Sequence, residues 1–380
     1  MDAFSRRRFL SLIAPSMISS TLAACAPATT GGPPPSPTSA GSTTNRSEWD
    51  RLVAAARQEG TVTVAGPPGD TFREALTAFT RAYPDIRIEY TGFAGRDFAP
   101  RVLAERAAGL HLWDIHAAGP DTALLMLKPQ GVYDPLSPAL LLPDVTDDAK
   151  WLNGFAAGFL DNERQFVYAF AGYVVPVVSV NRDFVPESEL NRMEQLLDPR
   201  WRGKISWEDP RSTGVGSADA GHLLMVLGEE FLSRLLQQDL LVLSDRRQQV
   251  EALVRGTYPL GGGIDPVGLV PYHQQGLGQN VGLLDRNSEA GTRLTVDSGS
   301  VMLINKAPHP NAANVYINWL LSQEGQRAWA QATAANSRRL DVDGPRASAP
   351  DPQRTYRIIN SEQYNSYITR AQAMAQEFLK

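Results

Sequence analysis

The residues best suited to chemistry lie in short glycine-rich stretches. The densest is Arg211-Ser212-Thr213-Gly214-Val215-Gly216-Ser217. Arginine presents a planar fork to carboxylate or phosphate, hydroxyls orient oxygen acceptors, and glycines allow close backbone approach. Ahead of a helix, such a stretch also brings free N–H groups and the positive end of the dipole to an anion. Arg211, Ser212, Thr213 and Gly214 are therefore candidate anion ligands, although an ordinary capped strand-to-helix loop has the same composition. Three further segments, residues 66–70, 92–97 and 119–121, have the same character and add Gly69, Asp70, Arg96, Asp97, Gly119 and Asp121. Tyr173 lies where a ring could pack on a ligand or simply fill a hinge. Asp265 follows Gly261-Gly262-Gly263-Ile264 and precedes Pro266. It suits a ligand amine, a metal or a turn.

No catalytic constellation accompanies these residues. Ser217 and Ser300 have Val215 and Ser298 two positions before them, so neither forms a Gly-x-Ser-x-Gly elbow. Gly203-Lys204 is followed by Ile205, which excludes a phosphate loop, and Asp219 breaks a Gly-x-Gly-x-x-Gly reading from Gly214. The five histidines, at 111, 116, 222, 273 and 309, form no HxxH or HxxxH pair, and one cysteine cannot make a disulfide or a Cys₄ zinc site. The expectation is a protein that is not an enzyme and has no cofactor and no resident metal. A formal net charge of −5 argues against nucleic acid as a partner.

The first 45 residues read as an address and a tether. Ser5-Arg6-Arg7-Arg8-Phe9-Leu10 resembles a twin-arginine export signal, with general secretion as the other route. The apolar run behind it is too short to span a membrane stably. It ends in Leu22-Ala23-Ala24-Cys25, which resembles a lipobox, and Cys25 is the only cysteine. Cys25 is thus the candidate lipidation residue of an exported protein, periplasmic or at the cell surface, that meets the membrane through its anchor only. Residues 26–46 are rich in Pro, Gly, Ser and Thr and lack large apolar residues, as expected of a disordered tether.

The body must then position the glycine-rich loops. With 380 residues, 43% hydrophobic and 20% charged, the chain is long enough for two lobes. Trp49, Leu52, Val53 and Ala56 share a helical face that Gly60 terminates. Residues 61–65 form a β-rich run. A helix comes next, with Phe72, Ala75, Leu76 and Phe79 on one face, and Thr71 with Glu74 as a capping box. Strands are expected at 86–90 and 113–117, with a helix at 98–108 between them. This order implies a mostly parallel sheet with right-handed crossovers. Residues 165–181 read as a crossing into a second lobe. There, strands at 204–207 and 259–264 alternate with helices at 218–236 and 246–255. Residues 301–305 return as a strand, Asn311 caps a helix to Leu321, and Ser322 starts the next.

The segments Ser300-Val-Met-Leu-Ile-Asn305, Ala307-Pro-His-Pro-Asn-Ala312 and Asn318-Trp-Leu-Leu-Ser-Gln-Glu-Gly-Gln326 resemble the extracellular solute-binding proteins of ABC importers. Leu127-Lys-Pro-Gln-Gly131, Leu197-Asp-Pro-Arg-Trp-Arg-Gly-Lys204 and Asp245-Arg-Arg-Gln-Gln249 are similar to the same group, in the branch of the ferric-iron, phosphonate and sugar-phosphate binders. The resemblance implies an α/β fold of the type II periplasmic-binding-protein kind. Each lobe would be a mostly parallel sheet flanked by helices, with a ligand cleft between them. The expected organisation is an export signal at 1–25, a tether at 26–46, lobe one at 47–172 plus 301–340, and lobe two at 173–300 plus 341–380. The implied partners are a small-molecule ligand and an ABC permease with its ATPase, the binding protein itself being a monomer, and the Arg211–Ser217 stretch points to an anion or zwitterion as that ligand. A ferric-iron binder and a sensing module uncoupled from transport remain alternatives. Iron binders of this family usually carry two adjacent tyrosines in the second lobe, and no two tyrosines are adjacent here. Ferric iron, a hard ion, wants such oxygen ligands.

Overall fold

The computed structural model describes residues 40–379, except 94, 265, 287, 345–347, 352, 353 and 355. The export signal, Cys25 and most of the expected tether therefore lie outside the described residues. Contacts divide the chain at Gly41, and Ser42–Lys380 forms one unit.

Two sheets organise this unit. The first takes its parallel strands from the N-terminal half: β1 (Thr61–Gly66), β2 (Arg87–Gly92) and β3 (Ile115–Ala118), with β1 paired to both others. The late strand β13 (Ser300–Ile304) runs antiparallel to β3, β4 (Tyr133–Asp134) and β5 (Tyr168–Ala169), giving the order β2-β1-β3-β13-β4. All six residues of β1 are buried, as a strand covered on both faces requires. The second sheet has the order β11-β7-β10-β8-β9. It comprises β7 (Val178–Asn181), β8 (Ile205–Glu208), β9 (Leu241–Leu243), β10 (Leu260–Gly262) and β11 (Val281–Leu283). Here β8 is parallel to β9 and β10, while β7 is antiparallel to β10 and β11. Both sheets thus mix parallel pairs with antiparallel returns.

Between the sheets lies a two-stranded antiparallel ribbon of β6 (Tyr173–Pro176) and β12 (Thr292–Thr295). The chain leaves the first sheet after β5, passes through β6 and enters the second at β7. It returns from β11 through β12 to β13. A third connection runs through the C-terminal segment, whose helix Asn365–Phe378 packs on the long helix Val215–Leu236.

Each sheet has its own core. Phe79, Tyr316, Trp319 and Trp329 anchor the first, and Trp207, Leu223, Leu232 and Met374 lie in the second. Burying such side chains is worth about 1.5–3 kcal/mol each before entropy is counted.

Three local expectations change. The first helix spans Ala40–Glu59, so it begins inside the stretch read as tether. Residues 40–46 contain no proline, and nothing in the backbone stops the helix from extending back through them. The helix Asp70–Thr77 has Gly69 at its N-cap and no side-chain cap bond, so Thr71 falls inside the first turn and forms no capping box with Glu74. Asn311 does not cap Pro310–Leu321, whose N-cap is His309. Instead the distant Glu59 carboxylate accepts from the Asn311 side chain (2.6 Å) and from the Ala312 N–H (2.7 Å). A residue about 250 positions away in sequence has taken the capping role, which local pattern cannot show.

Candidate functional site

A cavity of about 590 Å³ opens between the two sheets. Loops leaving the carboxyl ends of β1, β2 and β3 form one wall, through Pro67, Pro68, Phe93 and residues 118–122. The turn after β8 forms the other with Thr213 and Gly214, joined by Val215, Ala218 and Arg246. The floor is made by Arg293 and Thr295 on the ribbon strand β12, with Asp297 and Ser298 just beyond its end. Crevices outside the carboxyl ends of strands are where open α/β sheets hold ligands.

Arg293 is a buried charge on this lining. It is 3% exposed, and its Nε donates to the fully buried Asp219 carboxylate. The second Asp219 oxygen accepts from the Gly263 N–H at 2.9 Å. Arg293 Nη1 has no hydrogen-bond partner among the described residues. Arg293 thus lines the cavity while one of its donors is buried without the partner that would offset its desolvation. Burial pushes the Asp219 carboxyl up to about 6, against the lowering pull of Arg293. Across the cavity, Asp121 accepts from the Asn360 side chain at 2.7 Å. Burial raises its pKa too, with the nearby Asp297 acting in the same sense.

Of the residues singled out from sequence, Gly119, Asp121, Thr213 and Gly214 line this cavity. Gly69 and Asp70 are exposed at the start of their helix, Asp97 is exposed in the helix Gly95–Ala107, and Tyr173 lies on β6 opposite Thr295. None of these four lines the cavity. The Arg96 side chain and Asp265 fall outside the described residues.

The expected role of Arg211 changes most. Its guanidinium is folded onto Asp209, with Nε–Oδ1 and Nη2–Oδ2 both 2.9 Å. That hydrogen bonding holds the Asp209 carboxyl below its usual range. Neither Arg211 nor Ser212 reaches the cavity wall. The helix start is also already served. Glu208, the last residue of β8, accepts from the Gly216 N–H at 2.7 Å and from Arg246 Nε at 2.7 Å. A carboxylate of the protein thus occupies the position expected for the acidic group of a ligand. Gly216 is needed there, because a Cβ would come within 2.1 Å of the Glu208 carbonyl oxygen.

Arg293, Thr295, Asp297, Ser298 and Asn360 were not singled out from sequence. One signal was available: an arginine, Arg293, in a segment that had to cross between lobes. Among the described residues, no group of three or more His, Cys, Asp or Glu is placed to hold a metal ion. No tyrosine or histidine among them lines the cavity.

No family model matches the chain. Iron uptake protein A1 of Synechocystis sp. is 24% identical over 220 residues, 53% of this chain and 55% of that protein, so the match spans about half of the relative's length. Among solved structures, Trichodesmium IdiA (FutA) in complex with iron and citrate superposes with a TM-score of 0.66 at 16% identity. That match covers 84% of this chain and 99% of the other. Apo ferric ion-binding protein A of Pasteurella haemolytica gives 0.65 at 14% identity, over 84% and 98%. The chain has the two-lobed α/β fold of the type II periplasmic solute-binding proteins.

Proposed function

We propose that this protein captures a small anion, or a zwitterion through its acidic group, in the cleft between its sheets and delivers it to the permease and ATPase of an ABC importer. One observation carries the reading: Arg293 is buried on the cavity wall with an unused donor while Asp219 holds its other edge. The protein binds and releases its solute without chemical change. It works as a monomer, exported by a twin-arginine or general secretion signal and held to the membrane by acylated Cys25. Replacing Cys25 with Ser should move the protein from the membrane fraction to the soluble one, and full retention on membranes would refute the anchor. The ligand is tested by calorimetry against carboxylates, phosphonates and sulfonates. Hydrogen bonds to charged groups are worth about 1.5–3 kcal/mol, so Arg293→Gln should weaken anion binding by about ten- to a hundredfold. Undiminished binding in that variant, or preference for a polyamine, would sink the reading.

Ferric iron is the second reading, favoured by the names of the similar proteins. The cavity offers aspartates and arginines but, among the described residues, no phenolate or imidazole. A bare ferric ion fits that donor set poorly, whereas an anionic ferric chelate could use Arg293. Titration with ferric citrate beside citrate alone separates the two.

A further inference from the structure

A second, smaller cavity of about 160 Å³ is lined by His222, Glu289, Thr292, Arg354, Tyr356 and Arg357 and shares no lining residue with the cleft. Its position comes from strand geometry. Successive side chains on β12 point to opposite faces. Arg293 and Thr295 face the cleft, so Thr292 faces away from it, behind the ribbon. The helix Val215–Leu236 leads to the same place: Ala218 touches the cleft, Asp219 holds Arg293, and His222 lies one turn beyond Ala218, about 6 Å along the axis.

Two buried polar atoms of this cavity have no partner among the described residues: His222 Nδ1 and Thr292 Oγ1, on side chains 1% and 5% exposed. The state of the ring is set by its other nitrogen. His222 Nε2 lies 2.8 Å from the Glu289 carbonyl oxygen. A carbonyl only accepts, so Nε2 carries the hydrogen and the neutral ring leaves a bare lone pair at Nδ1. Burial lowers the His222 pKa to about 4, and the charges of Arg293 and Arg357 act in the same sense. Two arginines and one carboxylate stand at the rim. Arg354 lies over the Tyr356 ring at 5.3 Å, and Arg357 Nε is 2.9 Å from the Glu289 carboxylate.

We infer that this cavity is a second binding site, for a small oxyanion that still carries a proton, of the hydrogen-phosphate kind. Arg354 and the Thr292 hydroxyl meet the anionic oxygens, Arg357 stays with Glu289, and the ligand O–H donates to His222 Nδ1. A fully deprotonated oxyanion would set a lone pair against the Nδ1 lone pair, so sulfate is disfavoured. The space suits such an ion, since a water in the liquid takes only about 30 Å³. The site adjoins Arg293 through both β12 and the long helix, yet it does not depend on what the cleft binds.

The test is nitrogen NMR of the mature protein with ¹⁵N-labelled histidine, His222 being assigned by its loss in His222→Gln. Millimolar inorganic phosphate should shift the His222 Nδ1 resonance, and sulfate at equal ionic strength should not. Arg354→Gln, at a partly exposed position that spares the core, should weaken the phosphate response by about tenfold. No phosphate shift at His222, an equal response to sulfate, or an unchanged response in Arg354→Gln would each overturn the inference. Phosphate binding without a His222 shift would place phosphate in the cleft and also count against it.

Discussion

Asp219 titrates beside the Arg293 guanidinium that it pairs with, and the pH dependence is set by the direction of its shift. The Asp219 carboxyl is raised from 3.8 to about 6 by burial. The folded protein therefore holds this proton more tightly than the unfolded chain does. Stability from this group is fully present below the unfolded value and is lost as pH rises through about 6. Affinity moves in the same direction. When Asp219 is protonated, the Arg293 charge is no longer shared with a carboxylate and is fully available to a bound anion. The raised pKa of Asp121 also lets the cavity shed negative charge as pH falls. Binding of a sulfonate, whose own charge is constant over this range, should strengthen from pH 7 to pH 5, with proton uptake on binding. Calorimetry in buffers of different ionisation enthalpy measures both. A flat profile, or tighter binding as pH rises, contradicts Arg293 as the anion contact.

The alternation of strand and helix was legible because apolar period and glycine punctuation agreed along most of the chain. Strands β1, β8 and β13 fall within a residue or so of expectation, and Ser322 caps its helix by accepting from Gly325 N–H as its position suggested. Thr213, Gly214, Gly119 and Asp121 were readable for the same reason: they come after strand ends, and strand ends open on the cleft. The features that stayed hidden depend on distant partners. Glu59 reaches the helix start at Ala312, and Glu208 fills the helix start at Gly216, in each case with a carboxylate from another element. The Arg211–Asp209 pair was nearer to view, since an aspartate two residues before an arginine competes with any ligand for its fork. Strands β9 and β11 have three residues each and β12 has four, too short for a period-two pattern to announce itself. Arg293 was missed for that reason, because the importance of its charge depends on the strand that buries it.

At the scale of the whole molecule, the ribbon β6–β12 is the natural place for movement, since it is the only sheet pairing between the two larger sheets among the described residues. The third connection constrains that movement. Glu362 accepts from Lys128 and from the Asn162 N–H on the side of the first sheet, while Asn365–Phe378, a few residues on, packs against a helix of the second. Asn360, in the same segment, bonds Asp121 at the cavity. A rotation about the ribbon must therefore carry this strap with it, which favours a modest hinge closure over wide opening. A ligand contacting the strand-end loops of one sheet, the Thr213 turn of the other and Arg293 between them would interact most in the closed arrangement and so shift the population toward it. Small-angle scattering should then show a smaller radius of gyration with saturating ligand than without, against roughly 20 Å for a compact body of this length. The Arg293→Gln variant, which still offers the loop contacts, should compact less at the same ligand concentration and recover at higher concentration. An unchanged profile with a ligand whose binding calorimetry has verified would mean that the cleft captures its solute without closing, and the strap would then be a lock on a rigid molecule.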